Sequence, residues 1–297
     1  MKPYLADSEK TRELLERHGF FIKKGYGQNF LIDSSVPEDI VEAAGLGPMD
    51  AVLEIGPGIG SLTQYLAAAA GRVLAVEIDR KLEPVLAESL AGYDNISLIW
   101  GDFLKLDPEA LLEAYGVTPP VKVVANLPYY ITTPILMRLL KRQDLFSSIT
   151  VMVQEEVGER MAALPGGKDY GYLSLSVQYY ADPRLILRVP PHAFIPQPKV
   201  SSAVVQLTAR KEALPGIGDP EFFFEVAKGA FLQRRKTLAN ALAGYGPLGL
   251  NRQQVEEALK DMGLDPIIRG EKMSMEDFAA LTERVQHNRG NQEESSR

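Results

Sequence analysis

Short apolar segments rich in β-branched residues alternate with helix-patterned segments between residues 51 and 154, and this alternation restricts the fold more than any other feature. Alternation at this spacing is typical of βαβ units, which place their strands parallel in one sheet with helices packed against it. Open α/β sheets bind ligands beyond the carboxyl ends of their strands. The strands are expected at residues 51–55, 72–76, 96–100, 121–125 and 148–154, with helices at 61–69, 80–90, 111–115 and 133–142.

The pattern changes in the last third of the chain. Two more strands, at residues 185–189 and 203–207, are expected to close the sheet as an antiparallel pair, and four later segments have helical spacing. We therefore expect an α/β domain over residues 1–210 and a smaller all-helical domain over residues 211–297. The polar composition from Asn288 onward predicts a disordered tail.

Composition excludes several kinds of site. The 297 residues include no cysteine, so disulfides, thiolate metal sites and thiol catalysis are impossible. The three histidines, His18, His192 and His287, are widely separated, which argues against a histidine metal site or a Ser-His-Asp triad; no metal is expected. The amino-terminal residues lack the apolar core of a signal peptide, and no apolar run is long enough to cross a bilayer. We therefore expect a cytoplasmic protein that does not enter a membrane.

The formal net charge of −7 gives little support to a nucleic-acid partner, but the charges are unevenly distributed. Residues 183–211 contain five Lys or Arg and no acidic residue, and the same is true of residues 226–255. A molecule with one basic face can bind phosphate groups whatever its total charge, although a solvated surface is the other interpretation. Arg234, Arg235 and Lys236 are expected at a helix start, where cations oppose the helix dipole, so an RNA phosphate partner would explain their position.

A glycine-rich loop follows the first expected strand of the alternating region, from Gly56 through Gly58 to Gly60. Glycines let the backbone turn tightly and approach a ligand closely. A dinucleotide site would need G-x-G-x-x-G, but here the third glycine comes one position early. The spacing suits S-adenosylmethionine, which has no pyrophosphate to hold; a tight strand-to-helix turn without a ligand is the alternative.

The next two strands also end at acidic residues. Glu77, about 20 residues beyond the loop, can accept hydrogen bonds from both ribose hydroxyls, whereas Asp79 fits a helix N-cap better. Asp102 can accept from the amino group of a cofactor adenine, and the neighbouring Phe103 can pack on that ring; a turn aspartate is the alternative. Three such strand ends in succession favour one shared ligand over three unrelated turns.

The tetrad Asn126-Leu127-Pro128-Tyr129 follows another buried strand and can hold a flat purine ring. An adenine amino nitrogen is a poor nucleophile because its lone pair is delocalised into the ring. Hydrogen bonds from its N–H groups to the Asn126 amide oxygen and the Leu127 backbone oxygen would favour a pyramidal nitrogen that attacks a sulfonium methyl group. Tyr129 would stack on the base, and Phe194 is expected to cover the opposite face. A proline-terminated strand end and a core phenylalanine are the structural alternatives.

The ordered set of motifs resembles the ribosomal RNA adenine N6,N6-dimethyltransferases, in particular the bacterial small-subunit (16S) branch associated with kasugamycin sensitivity. Each motif alone is weak or moderate, but their order along most of the chain is highly specific. The motifs that carry the resemblance are Gly27-Gln28-Asn29-Phe30-Leu31, Glu54 to Gly60, Glu77-Ile78-Asp79, Gly101-Asp102, Asn126 to Tyr129, Phe194 to Ser202 and Phe231 to Thr237.

This resemblance implies a class I, Rossmann-like methyltransferase sheet that uses S-adenosylmethionine, with a helical domain that docks RNA. It further implies transfer of two methyl groups to each of two adjacent adenosines near the 3′ end of 16S rRNA, within an immature 30S subunit. A monomer is expected. The expected cofactor-binding residues are Gln28, Asn29, Leu31, Gly56, Gly58, Glu77, Ile78, Asp102, Phe103 and Asn126, and the expected catalytic residues are Asn126, Leu127, Pro128, Tyr129 and Phe194.

Three other functions are compatible with parts of the pattern. The related methylase that modifies an adenine of 23S rRNA and confers macrolide resistance shares the fold, and RNA specificity does not follow from the motifs by physical argument. A non-catalytic ribosome assembly factor could keep the fold, but the intact glycine loop, Glu77 and tetrad argue against loss of catalysis. A nicotinamide-dependent dehydrogenase is disfavoured by the glycine spacing.

Overall fold

The structure is a computed structural model that describes residues 4–20, 28–210 and 217–295. Residues 23–26 and Gly27 of the amino-terminal motif therefore lie outside the described residues. Helices α1 to α12 span Ser8–Arg17, Ser35–Ala44, Thr63–Ala69, Glu83–Ser89, Pro108–Ala114, Thr132–Leu140, Glu155–Ala162, Tyr172–Tyr180, Pro220–Leu232, Leu238–Ala243, Arg252–Asp261 and Met275–Ser295. Strands β1 to β9 span Phe30–Leu31, Ala51–Ile55, Arg72–Glu77, Ile96–Trp100, Val121–Asn126, Phe146–Gln154, Ala181–Val189, Phe194–Ile195 and Ser202–Ala209.

Within the described residues, the main sheet has seven strands in the order β4-β3-β2-β5-β6-β9-β7. The five strands from β4 to β6 are parallel, and β9 runs antiparallel to both β6 and β7. The predicted α/β fold and the predicted antiparallel closure are thus both confirmed. The strand order changes direction between β2 and β5, so a crevice forms beyond their carboxyl ends. The glycine loop follows β2 and the Asn126 tetrad follows β5, which brings the two motifs to the same crevice.

The central strands are buried on both faces. Val52, Leu53, Val73, Leu74 and Val123 are each at most 1% exposed. Strands covered by helices on both sides have continuous apolar sequences rather than alternating ones, which is why these strands are easily recognised in the sequence. Burial on both faces also holds the strand ends rigidly, so the loops that leave them have fixed starting positions.

A second, two-stranded sheet joins distant parts of the chain and was not predicted. Strand β1 pairs antiparallel with β8, with Phe30 opposite Ile195 and Leu31 opposite Phe194. Two residues per strand are too few to show a period-two pattern, so no local pattern in the sequence indicates this sheet. The pairing holds the segment from Gln28 to Leu31 close to the crevice.

The described residues divide into two compact units with a boundary different from the expected one. One unit contains the residues up to Gly158 and Tyr180–Ala209; the other contains Glu159–Tyr179 and the residues from Arg210 onward. The expected division at residue 210 therefore misses the segment 159–179. This segment belongs to the helical unit because Tyr170 and Leu175 are buried in the same core as Phe223 and Val226.

The helical unit contains the four helices expected after residue 217, with starts set by capping residues. Asp219 caps α9 by accepting from the Phe222 amide, and Asn251 forms a capping box with Gln254 at the start of α11. Helix α12 continues to Ser295, so the structure has helix where the sequence predicted a disordered tail. The final segment contains no proline to end the helix, and its Gln, Glu and Arg residues are good helix formers.

Candidate active site

A cavity lies at the carboxyl ends of the parallel strands, between the glycine loop, the ends of β3 and β4, and the tetrad after β5. All ten residues expected to bind the cofactor line this one cavity, together with the whole Asn126–Tyr129 tetrad. The structure therefore brings the predicted cofactor-binding residues and the tetrad together at one cavity. Phe30 and Glu54, which belong to the motifs but were given no binding role, also line the cavity, and the other lining residues include Ser61, Leu62, Leu104 and Tyr130.

The glycine loop adopts backbone conformations that favour glycine. Gly56, Gly58 and Gly60 have φ values of +74°, +60° and +91°. A Cβ atom on Gly58 would come within 3.1 Å of the Phe30 ring, and one on Gly60 within 2.9 Å of the Leu90 side chain. The loop thus lies tightly against Phe30 and Leu90, and it presents bare backbone to the cavity.

Glu77, at the end of β3, connects two of the loops around the cavity. Its carboxylate accepts hydrogen bonds from the backbone N–H of Gly58 at 3.1 Å and of Asp79 at 2.8 Å. Burial raises the pKa of Glu77, and these hydrogen bonds act in the opposite direction. Each carboxylate oxygen can accept more than one bond, so Glu77 can also receive hydroxyl groups of a ligand.

Asp79 has the capping role that the sequence favoured for it. One carboxylate oxygen accepts from the Lys81 amide at 3.2 Å, and the other accepts from the Gln28 side chain at 3.2 Å. The second bond attaches the amino-terminal segment to the loop after β3. This hydrogen bond to Asp79 holds Gln28 at the cavity wall.

Asp102, after β4, makes the turn contact that the sequence offered as the alternative, and it also lies at the cavity. One oxygen accepts from the Leu104 amide at 3.0 Å, as in a turn aspartate, and Lys105 approaches the other at 3.7 Å. The residue nevertheless lines the cavity, beside the buried side chain of Phe103. A carboxylate fixed by its own turn is well suited to receive an amino group from a ligand.

Hydrogen bonds hold the tetrad in place. The Asn126 side chain donates from Nδ2 to the backbone oxygen of Asn29 at 3.2 Å. Because a carbonyl oxygen can only accept, this contact fixes which end of the amide is the nitrogen. The Leu127 amide donates to Met152 at 3.1 Å, and the Thr132 hydroxyl donates to the Pro128 carbonyl at 3.1 Å. The bond made by Nδ2 therefore fixes the orientation of the whole Asn126 side-chain amide, including its oxygen.

Glu54 is an acidic lining residue inside a buried strand. It is 1% exposed, and burial raises its pKa to about 8, with a further contribution from the charge of Glu77. Its Oε2 atom has no hydrogen-bond partner in the described part of the protein. The signal that could have found it is a single acidic residue in the apolar run 51–55. An unpaired buried polar atom beside a cavity is suited to a ligand that brings a hydrogen-bond donor or a positive charge.

Comparison with known proteins places this chain in a family. The family model described as ribosomal RNA adenine dimethylase matches residues 19–287. The chain belongs to this family. Ribosomal RNA small subunit methyltransferase A of Moorella thermoacetica is 49% identical over 288 residues, which is 95% of this chain and 99% of the relative. The protein of the same name from Bacillus licheniformis is 47% identical over 287 residues, covering 96% and 98% of the two chains.

Solved structures agree with this assignment. The 23S rRNA methyltransferase ErmE has 30% sequence identity and a TM-score of 0.66, over 87% of this chain and all of ErmE. A dimethyladenosine transferase from Plasmodium falciparum has the same fold, with 24% identity and a TM-score of 0.69, over 88% and 98% of the two chains. The expectation of an rRNA adenine dimethyltransferase enzyme is thus confirmed at the level of the family.

Phe194 of this dimethylase does not line the cavity. It lies in β8 opposite Leu31, is 2% exposed and packs in the core with Val189 and Val204. The prediction that Phe194 covers the second face of the base is therefore wrong, and the alternative of a core phenylalanine is confirmed. Its contribution to the site is indirect, because β8 holds the strand that carries Gln28 to Leu31 at the cavity wall.

The basic cluster of the dimethylase also differs from expectation. Helix α10 begins at Leu238 with Thr237 as its cap, so Arg234, Arg235 and Lys236 lie in the preceding turn rather than in the helix. The helix dipole argument therefore does not apply to them. Arg234 donates to the carbonyl oxygens of Lys168 at 2.8 Å and Tyr170 at 3.1 Å, and pairs with Glu271 at 3.2 Å. Arg235 and Lys236 are exposed.

Metal-binding and membrane-spanning features are both absent from the described residues. No group of three or more His, Asp or Glu in this part of the dimethylase is arranged to hold a metal ion. No helix there combines the length and the apolar character that crossing a membrane requires.

Proposed function

We propose that this protein transfers methyl groups from S-adenosylmethionine to the N6 amino groups of two adjacent adenosines near the 3′ end of 16S rRNA. One observation carries the proposal: a single cavity joins the acidic strand ends to the Asn126–Tyr129 tetrad. The first part suits a cationic nucleoside cofactor, and the second suits the edge and face of a purine. The names of the relatives, small subunit methyltransferase A, support the choice of RNA.

The charge of the cavity supports the choice of cofactor. Among the described residues that line it, Glu54, Glu77 and Asp102 have carboxyl side chains and none is basic. Because burial raises the pKa of Glu54 to about 8, the negative charge at neutral pH comes from Glu77 and Asp102. A dinucleotide would bring a negatively charged pyrophosphate into this acidic environment, where it would be repelled. S-Adenosylmethionine carries a positive sulfonium, a positive amino group and one carboxylate, so it is positively charged overall and matches the walls. The unpaired Glu54 oxygen gives a buried polar group for which such a ligand can supply a partner.

The lining residues offer a suitable binding group for each part of the cofactor. Glu77 would accept from the ribose hydroxyls, and Asp102 would accept from the adenine amino group beside Phe103 and Ile78. Gly56 and Gly58 allow close approach of the ligand to the backbone. When bound, the cofactor supplies an electrophilic methyl group on sulfur.

The tetrad would orient the target adenine for direct transfer. The Asn126 amide oxygen and the Leu127 backbone oxygen would accept from the two N–H bonds of the target amino group, directing its lone pair at the methyl carbon. Tyr129 would stack on the base, an interaction worth roughly 1–3 kcal/mol in single-strand binders. This gain can offset much of the few kcal/mol needed to extrude a base from its stack. Positioning and electrostatics would supply the catalysis, without a histidine or cysteine.

The proposed RNA partner is 16S rRNA in an immature 30S particle. We propose that the protein binds it as a monomer in the cytoplasm. Arg235 and Lys236 in the helical unit are exposed and available to contact RNA phosphates. The 23S-directed alternative has weaker support, since ErmE is 30% identical to this chain whereas the small-subunit relatives reach 49%.

The test offers both RNAs to the protein. Wild-type protein is incubated with radiolabelled S-adenosylmethionine and either immature 30S or immature 50S particles, and the labelled nucleotides are mapped by nuclease digestion and mass spectrometry. The expected result is two adjacent N6,N6-dimethyladenosines near the 3′ end of 16S rRNA. Label on 23S rRNA alone would replace the proposal with the alternative, and cofactor binding without label in either RNA would indicate a non-catalytic assembly factor.

A further inference from the structure

The phenol of Tyr129 is in hydrogen-bond contact with a residue 73 positions away. Its oxygen lies 2.7 Å from the hydroxyl oxygen of Ser202, and either atom can be the donor. Ser202 is fully buried and is the first residue of β9, whereas Tyr129 lines the cavity. The contact therefore runs from the wall of the active site into the interior of the main sheet.

Ser202 is well placed to act as a fixed anchor. It is paired with Gln154 on β6 and with Val189 on β7, so its backbone is held on both sides. Tyr129 lies instead in a single 3₁₀ turn, from Tyr129 to Ile131, directly after Pro128. A turn this short fixes a side chain less firmly than a sheet does, since few backbone hydrogen bonds hold it.

A bond to the phenol oxygen restricts the ring in a specific way. The oxygen lies on the axis about which the ring rotates, so the contact with Ser202 leaves ring flips possible. It does fix the direction of that axis, because both the Cβ end and the oxygen end are then held. The direction of the axis determines where in the cavity the ring lies, and the ring is the group that a base would stack on.

We propose that Ser202 is a positioning residue, which holds the Tyr129 ring at the place where the target base stacks. This inference rests on the proposed methyltransferase function. It also explains why a phenol at position 129 is better than a plain phenyl ring: with phenylalanine, the buried Ser202 hydroxyl would lose its partner and the ring would lose its anchor.

The first test measures methyl transfer in a single turnover, with RNA and cofactor both saturating. Ser202→Ala is expected to lower the rate roughly 3- to 10-fold, the range that corresponds to one hydrogen bond, and to leave cofactor affinity within about twofold. Ser201→Ala removes a hydroxyl from the neighbouring, partly buried position and is the matched control; its rate should stay within about twofold of wild type.

A double-mutant cycle separates positioning from a general structural role. If Ser202 acts through the phenol, then adding Ser202→Ala to Tyr129→Phe should change the rate less than about twofold. An equal loss from Ser202→Ala in both backgrounds, or no loss in the wild-type background, would overturn the inference. A general loss of structure would lower thermal stability and cofactor affinity together with the rate, which is a different pattern.

A second measurement does not depend on activity. Protein labelled with 3-fluorotyrosine gives a ¹⁹F resonance for Tyr129, assigned by its disappearance in Tyr129→Phe. Ser202→Ala should shift this resonance and Ser201→Ala should leave it in place; an unshifted resonance in Ser202→Ala overturns the inference. Wild-type protein that methylates no RNA would refute the proposed function, while the resonance would still decide whether Ser202 holds the ring.

Discussion

The side-chain nitrogen of Asn126 lies 3.2 Å from the backbone oxygen of Asn29, so the tetrad is attached to the segment that forms another wall of the same cavity. Asn29 precedes β1, and β1 is paired with β8. The orientation of the Asn126 amide therefore depends on a short sheet that joins residues far apart in the sequence.

Asn126→Ala should abolish methyl transfer with little effect on cofactor binding. The substitution removes the proposed acceptor for the target amino group, and loss of one such group typically costs about 100- to 1000-fold in rate. Cofactor affinity, measured by calorimetry, should stay within a few-fold because Glu77 and Asp102 remain. Asn126→Asp is the informative companion: it keeps an oxygen but cannot donate to Asn29, so it should also be slow. Near-normal turnover in Asn126→Ala would remove the proposed role.

Glu54 should make stability depend on pH in an identifiable range. Its pKa rises from 4.5 to about 8 in the folded protein because the carboxyl is buried. The folded state then binds the proton more tightly than the unfolded chain does, so the stability contributed by this group is complete below about pH 4.5 and is lost as pH rises through about 8. Glu54→Gln stays neutral at every pH. Its advantage over wild type should grow across this range and level off above it, at a few kcal/mol by order of magnitude.

Urea unfolding of wild type and Glu54→Gln between pH 5 and pH 9 measures this difference. Glu13→Gln, the same substitution at an exposed position on α1, is the control for the removal of one carboxyl group. Parallel pH profiles for wild type and Glu54→Gln would show that Glu54 is not protonated in the folded protein at neutral pH.

Gly58→Ala should damage the cofactor site for two reasons. The φ value of +60° strains any residue with a Cβ atom, and that atom would lie 3.1 Å from the Phe30 ring. Gly45→Ala is a matched control, since Gly45 has a φ of +57° and nothing within 4 Å of the added atom. Both variants should lose about 1–2 kcal/mol of stability from strain. Gly58→Ala should lose more and should also bind cofactor at least tenfold more weakly; equal cofactor affinity in the two variants would contradict this account.

The basic turn before α10 should contribute to RNA binding through Arg235 and Lys236. Replacing either by alanine should weaken binding and reduce the slope of log affinity against log salt by about 0.7–0.9 for each RNA phosphate that the protein no longer neutralises. Lys260→Ala, at an exposed position on α11, should leave the slope unchanged. An unaltered slope for both turn variants would exclude phosphate binding by these two side chains.

Arg234→Ala should behave differently from its two neighbours. Its guanidinium bonds Lys168, Tyr170 and Glu271 within the helical unit, so its removal leaves two carbonyl oxygens and a carboxylate without this donor. Because these groups are partly exposed and water can replace the donor, we expect a stability loss of about 0.5–1 kcal/mol, measured by thermal unfolding, beyond any effect on RNA. Stability equal to that of Arg235→Ala would show that these hydrogen bonds contribute little.

The features that could be predicted well from the sequence are those with a local cause. Strands β2 and β4 begin and end where their apolar runs do, at residues 51–55 and 96–100. The glycine loop and the tetrad were located because turn chemistry and strand ends are visible within a few residues. Parallel topology then brings the strand ends together, so a shared cavity followed from the order of elements.

The features that could not be predicted depend on distant partners. The β1–β8 pairing and the bond between Tyr129 and Ser202 join segments that no local pattern connects. Phe194 was assigned to the cavity from its position in a motif, yet tertiary packing directs it into the core. Residues 159–179 were placed with the sheet because they follow it in the chain, whereas the burial of Tyr170 assigns them to the helical unit.

The acidic lining of the cavity has a consequence for repeated turnover. Once the sulfonium has given up its methyl group, the spent cofactor carries one positive charge fewer than the fresh one. Under the proposed function, Glu77 and Asp102 would then attract it less strongly, and fresh donor could displace spent donor between successive transfers. A pocket that binds the fresh donor more strongly than the spent one would help an enzyme that delivers several methyl groups to one site on its RNA.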